Sequence, residues 1–412
     1  MVRTFSLTLA LCAAMHIALA QDKEQVTLGQ IEKIESEILG EERTVWVYVP
    51  DQGGNSFYQE QQYPVVYLLD GDAHFYSVVG MIRQLSSVNG NTVCPKMIVV
   101  GIPNTNRTRD LTPTKPSSEQ PFVDSAMIAV SGGGEAFLSF MNDELFPYID
   151  ANYPTLPYRM LIGHSFGGLT AMNAYTHHPE MFNAYVSIDP SMWWDDRKLL
   201  DQIMAKDLGA EYHDKALVIG IANTMNEGMD TAMARIDTSA NTDHIRSILT
   251  LHDHMSAVSN EDIRYMGKYY HEDSHGSVPL ITEYDALRYI FQFYNIKWEM
   301  DDFMNPESDV AGKLKKHYTY LSKQFGMEML PEEQTVNEMG YQFMNMGQME
   351  KAKTLLEMNV QNYPGSFNVH DSMGDYYVAV DDKEKAKECF RKSIEINPES
   401  YSKPKLEALE NE

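Results

Sequence analysis

Gly163-His164-Ser165-Phe166-Gly167-Gly168 sets one hydroxyl between glycines in the spacing G-x-S-x-G. An apolar run, Met160-Leu161-Ile162, leads into it, and a helix-compatible run, Leu169 to Tyr175, leaves it. A strand–turn–helix with serine at the turn lifts that hydroxyl to the end of a sheet and aims a helix N-terminus at it. The glycines are needed because so tight a turn has no room for side chains. The chemistry this suits is attack on an acyl carbonyl, with backbone N–H groups facing the oxyanion that forms. One such donor is the N–H of Phe166. The other is expected from the turn after Leu68-Leu69-Asp70-Gly71, at the N–H of Asp72.

A serine hydroxyl is a weak nucleophile at neutral pH and needs a base held against it. Of the 13 histidines, His275 is the candidate: it sits in Asp273-Ser274-His275-Gly276-Ser277-Val278-Pro279, a polar loop before the helix-like run Tyr284 to Tyr294. The order serine, acid, histidine places the acid after the strand Ala216 to Ile221. Glu227 is preferred there, with Asp230 the alternative, and either would hold the ring in its productive tautomer. A serine–histidine dyad stays open. His252, Asp253 and His254 suggest a metal, but residues two apart do not share a helix face and no third ligand is evident. No metal or organic cofactor is expected. Gly132-Gly133-Gly134 lacks the Lys-Ser/Thr of a phosphate loop and reads as a helix start. Trp193, Trp194 and Arg109 are candidates for the substrate pocket, the tryptophans for an aryl or sugar group and Arg109 for a carboxylate or catecholate.

Leu68-Leu69-Asp70-Gly71, Gly101-Ile102-Pro103-Asn104 with Arg107 and Arg109-Asp110-Leu111-Thr112-Pro113, the serine turn, Pro190-Ser191-Met192-Trp193-Trp194, and His275-Gly276-Ser277-Val278-Pro279 occur in this order. The series resembles the esterase D-like family of α/β hydrolases, closest to its siderophore-esterase-like branch, over residues 24 to 298. The resemblance implies a serine hydrolase of carboxylic esters with Ser165 and His275 in the catalytic positions. Siderophore, feruloyl and acetyl esters are within the family's range, and some members are acyltransferases.

The elements that must position these residues alternate. Continuous apolar runs at Tyr63 to Leu69, Lys96 to Val100, Arg159 to Ile162, Ala184 to Ile188 and Ala216 to Ile221 read as buried strands. Helical stretches such as Glu135 to Ile149 separate them. The fold class expected is therefore α/β with a mostly parallel central sheet, spanning residues 21–300.

Beyond it the pattern changes. Gly340, Phe343, Lys351-Ala352-Lys353 and Leu356 recur 34 residues later as Gly374, Tyr377, Lys385-Ala386-Lys387 and Phe390, with Pro331, Pro364 and Pro398 as punctuation. That period resembles tetratricopeptide repeats over residues 331–412, joined by a helical linker at 301–330. The repeats are the place for a protein partner.

Residues 1–20 carry Arg3, an apolar stretch and Ala18-Leu19-Ala20, the pattern of a cleaved signal peptide, so a periplasmic or secreted protein is expected. Asp and Glu number 59 against 33 Lys and Arg, a net charge of −26, which repels nucleic acid and anionic membranes. No later run is long enough for a membrane span. Two rivals to the esterase remain: an acyltransferase of the same fold, separable by product partition with acceptor alcohols, and a repeat-based interaction protein with a vestigial hydrolase domain.

Overall fold

Strand residues that are apolar on both faces can only be buried between layers, and the molecule is built on that requirement. A computed structural model describes residues 26–51, 61–119, 122–258 and 263–411; the expected signal peptide lies outside them. The strands are β1 (Gln30–Ser36), β2 (Glu41–Tyr48), β3 (Tyr63–Leu69), β4 (Ile98–Ile102), β5 (Thr155–His164), β6 (Ala184–Ile188), β7 (Ala216–Ala222) and β8 (Arg264–Tyr270). They form one sheet in the order β1-β2-β4-β3-β5-β6-β7-β8. β1, β2 and β4 pair antiparallel, and the remaining pairs are parallel. Every residue of β3, β4, β6 and β7 is buried, whereas β1 and β2 alternate between core and solvent at the sheet edge.

Helices cover both faces. Those used below are α1 (Gly71–Ser86), α2 (Phe166–His177), α3 (Trp194–Ala205), α4 (Asp243–Val258) and α5 (Val278–Ile290) in the sheet domain. α6 (Val310–Phe325) follows, then α7 (Glu333–Asn345), α8 (Met349–Asn362), α9 (Phe367–Ala379), α10 (Lys383–Ile396) and α11 (Ser402–Glu410). The chain is thus a mostly parallel α/β sheet followed by an all-α array.

α6 joins the two parts because its ends face different cores. Leu321 and Phe325 belong to the sheet's core, with the Phe325 ring 4.9 Å from Tyr158 and 6.2 Å from Phe291. Val310, Ala311 and Leu314 belong to the core of the array. Within the array the 34-residue correspondence is a packing rule. A Cβ on Gly340 would meet Leu356 Cδ2 at 2.7 Å, and one on Gly374 would meet Phe390 Cε1 at 2.3 Å. The glycine and the large apolar residue recur together because each helix pair closes over that contact.

Candidate active site

β5 ends at His164 and α2 begins at Phe166, so Ser165 alone makes the turn, at φ 60° and ψ −113°. A Cβ at Gly163 would stand 2.2 Å from Gly167 O, which is why that position carries no side chain. The Ser165 N–H donates to Ile188 O at 2.9 Å, and the Ser191 N–H donates to Ser165 O at 3.1 Å. The serine backbone is therefore fastened to the chain on both sides of Asp189.

Asp189 follows β6 directly, is shielded from solvent, and has φ 41°. His275 Nδ1 lies 2.6 Å from Asp189 Oδ2, and His244 Nε2, from the start of α4, lies 2.8 Å from the same oxygen. The Ala222 N–H donates to Asp189 Oδ1 at 2.9 Å. Burial works to raise this carboxyl, but the bonds from His244, His275 and Ala222 outweigh it and hold it below the ordinary carboxylate range. An ionised carboxylate only accepts hydrogen bonds, so both rings must present N–H to it. A neutral His275 is then protonated on Nδ1, leaving Nε2 free to act as a base. The His275 ring centroid is 4.4 Å from that of His164, the neighbour of Ser165. Ser165 Oγ is 3.4 Å from Ser191 Oγ; the bond from Ser165 to His275 is not formed in this structure. Catalytic hydrogen bonds commonly tighten only with substrate in place.

The carboxylate beside His275 is thus Asp189, after β6, and neither Glu227 nor Asp230 in the loop after β7. Glu227 is exposed in the loop after β7, and Asp230 caps a short helix by accepting from the Met233 N–H at 2.8 Å. The end of β7 supplies Asp189 with a donor, Ala222, rather than supplying the acid. Asp189 is one strand earlier and ends an apolar run, Ala184 to Ile188, so it reads in sequence as a strand terminus. The signal was the charged residue at the carboxyl end of a wholly buried strand.

Two pocket candidates also move. Arg109 binds Glu41 through Nη1 at 3.0 Å and Asp110 through Nε at 2.6 Å, a loop-fixing ion network rather than a free cation. Trp194 is buried with its indole N–H donating to Thr114 O at 3.0 Å, so it packs beneath the loop. Trp193 is half-buried, its ring 6.4 Å from both Phe166 and the exposed Phe122. Trp193 and Phe122 leave an aromatic surface next to the turn. His252 is bonded to Tyr265 and Asp253 to Arg235, so that trio does not converge.

The expected oxyanion donors occupy the first turns of α2 and α1. Phe166 and Asp72 are the first and second residues of their helices, where N–H groups have no acceptor within the helix. The two helix starts touch: a Cβ at Gly167 would lie 3.2 Å from Asp70 Oδ2 and 3.4 Å from Leu69 Cβ. A latch fixes them. Arg107 donates to both oxygens of Asp70, at 2.6 and 3.0 Å, and to His164 O at 3.1 Å, and its guanidinium lies 5.4 Å from the Phe166 ring centroid. Burial would raise the Asp70 carboxyl, but Arg107 and Asn104 hold it lowered.

Beneath the site lie groups with few partners. Burial and the neighbouring His275 push His164 down to about 4, and its Nε2 is closed off from solvent. Glu283 on α5 is buried with neither oxygen hydrogen-bonded among the described residues, and burial pushes its carboxyl up to about 8. His74 Nδ1 lies 3.7 Å from it, beyond hydrogen-bonding distance. A cleft of about 700 Å³ between the sheet and the helical array is lined by Tyr63 and Pro154. These stand at the amino ends of β3 and β5, so it opens away from Ser165.

Comparison with known proteins bears on the family and the fold. Residues 36–272 match the family model described as Putative esterase, and residues 368–400 match a Tetratricopeptide repeat model. The Siderophore enterobactin esterase of Emericella nidulans is 30% identical over 148 residues, 33% of this chain and 49% of that protein. Ferri-bacillibactin esterase BesA of Bacillus subtilis is 31% identical over 142 residues, 32% of this chain and 49% of that protein. The chain thus spans about half the length of these curated relatives. The crystal structure of an IroE-like serine hydrolase from Shewanella oneidensis superposes with a TM-score of 0.66 at 29% identity, covering 81% of this chain and 99% of that one.

Proposed function

Because the chain belongs to the Putative esterase family, we propose that it is an exported serine hydrolase that cleaves carboxylic esters through an acyl-enzyme on Ser165. The single observation that carries this reading is the 2.6 Å contact of His275 Nδ1 with Asp189, a residue whose flanks hold the Ser165 backbone. In the first half-reaction His275 Nε2 takes the Ser165 proton as Oγ attacks the ester carbonyl. The N–H groups of Phe166 and Asp72 receive the oxyanion, and the imidazolium returns its proton to the leaving alcohol. Water repeats the sequence on the acyl-enzyme and frees the acid. Asp189 keeps the ring tautomer and offsets the positive charge while the proton is on the ring.

The aromatic surface of Trp193 and Phe122 favours esters bearing an aryl group, and the relatives' names describe esterases of the siderophore enterobactin and of ferri-bacillibactin. No described helix is long and apolar enough to cross a membrane. The test is turnover of a short-acyl nitrophenyl ester by the mature protein and by Ser165→Ala. A loss of about a thousandfold or more supports the serine mechanism. Equal rates would remove Ser165 as nucleophile and bring the repeat-based interaction reading forward.

A further inference from the structure

Two imidazoles on one carboxylate oxygen are more than a serine mechanism requires, since one histidine is enough to serve as base. His275, His244 and Asp189 each offer a ligand atom within 4.8 Å of the other two, and the nitrogens that face the carboxylate are His275 Nδ1 and His244 Nε2. No other group of histidine, cysteine and carboxylate donors this close occurs among the described residues. The three come from separate elements: the end of β6, the start of α4 and the loop before α5. Both histidine side chains reach solvent, His275 at 42% and His244 at 21% exposure, so an ion has a route in.

We propose that these residues form an inhibitory site for a divalent transition metal of the Zn²⁺ type, resting on the reading of His275 as the base. Two imidazole nitrogens and a carboxylate oxygen are the donors Zn²⁺ takes, at about 2.0–2.2 Å each. Donors on one tetrahedral ion stand about 3.4 Å apart. The present 2.6 and 2.8 Å contacts with Asp189 therefore open by less than an ångström as the ion enters. The ion takes the place of the two N–H protons that now hold the rings on the carboxylate.

The consequence lies in the His275 tautomer. Coordination through Nδ1 needs the lone pair there, so the single proton of the neutral ring moves to Nε2. That is the atom which must accept the Ser165 proton, and a protonated Nε2 cannot do so. The ion occupies no substrate position and Ser165 stays intact, so removing it restores the base. The metal is a switch on the site and takes no part in the reaction.

Binding and inhibition can be read separately. Zn²⁺ affinity is measured by competition with a chromophoric chelator on the Ser165→Ala protein, which keeps all three donors whether or not the esterase reading holds. One ion per chain is expected, weakened on the order of tenfold or more by adding His244→Asn. His271→Ala, at an exposed histidine in the preceding loop, is the control and leaves affinity unchanged. In the unsubstituted protein, ester turnover should fall over the same Zn²⁺ range and return with EDTA, while inhibition of the residual turnover of His244→Asn needs correspondingly more Zn²⁺. No binding, binding that His244→Asn leaves intact, or full turnover at saturating Zn²⁺ overturns the proposal. Absence of turnover in every sample counts against the esterase reading alone, and the binding measurement then decides this one.

Discussion

In the helical array one backbone device is used twice. α7 is followed by Gly347 at φ 71°, and 34 residues on α9 is followed by Asp381 at φ 62°. The hydrogen bonds match: Gly347 and Asp381 donate to Met344 O and Val378 O, and Gln348 and Asp382 donate to Phe343 O and Tyr377 O. At the carboxyl edge of the sheet, left-handed backbone falls on Asp70, Ser165 and Asp189, at φ 52°, 60° and 41°. Such a conformation costs a non-glycine residue about 1 kcal/mol or more. In the array a glycine does the same work, so the strain at Asp381 belongs to one repeat's sequence. At the sheet edge no glycine could replace these residues, because each contributes the side chain that the turn presents.

If the strained residues at the sheet edge proved dispensable, glycine would serve there as it does in the array. Asp189→Asn preserves size while removing the charge that fixes the His275 tautomer. Ester turnover should drop about a thousandfold or more, with circular dichroism and thermal unfolding showing a folded protein. Glu227→Gln and Asp230→Asn should leave turnover unchanged. The opposite pattern would return the acid to the loop after β7.

Two buried glutamates differ in the same way between the two regions. Glu333 in the array accepts a hydrogen bond from Ser366 Oγ at 2.6 Å, whereas Glu283 under the site accepts none among the described residues. With its folded-state value raised from 4.5 to about 8, Glu283 keeps a proton that the unfolded chain releases between those values. The folded state binds more protons, so stability falls as pH rises through that window and levels off above it. Glu283→Gln has nothing to ionise. Chemical denaturation should find it more stable than the unsubstituted protein by about 3 kcal/mol near pH 7 and no different below pH 4.5. No gain at pH 7 would mean that Glu283 is ionised and that the His74 ring, 3.7 Å away, has taken up a proton to pair with it.

What sequence could and could not convey follows from the same contrast. The buried strands, the serine turn and the 34-residue period were legible because each is a local pattern of residue types. His275 stood out as a polar loop histidine before a helix. Asp189 did not, because its role depends on β6 lying between β5 and β7, which lets it meet His275 across 86 residues of chain. Arg109 looked free for the complementary reason: Glu41, which neutralises it, lies 68 residues away at the start of β2. His244 gave no signal, since a histidine at a helix start is unremarkable until the carboxylate it faces is known.

The smallest expected effect is in the array and follows from its internal symmetry. If Gly347 and Asp381 perform one structural task, the better residue for it is already present in the first repeat. Asp381→Gly removes the clash between Cβ and its own carbonyl in the left-handed region and adds some freedom to the unfolded chain. The first effect is the larger, so a net stabilisation of about 0.5–1 kcal/mol is expected. Gly347→Asp should lose a similar amount. Thermal unfolding of the full chain reads both, as shifts of about 1–3 °C in opposite directions, while ester turnover stays the same. If Asp381→Gly were instead less stable, the Asp381 side chain would be holding the turn through a contact of its own. The two repeats would then share a backbone path without sharing what stabilises it.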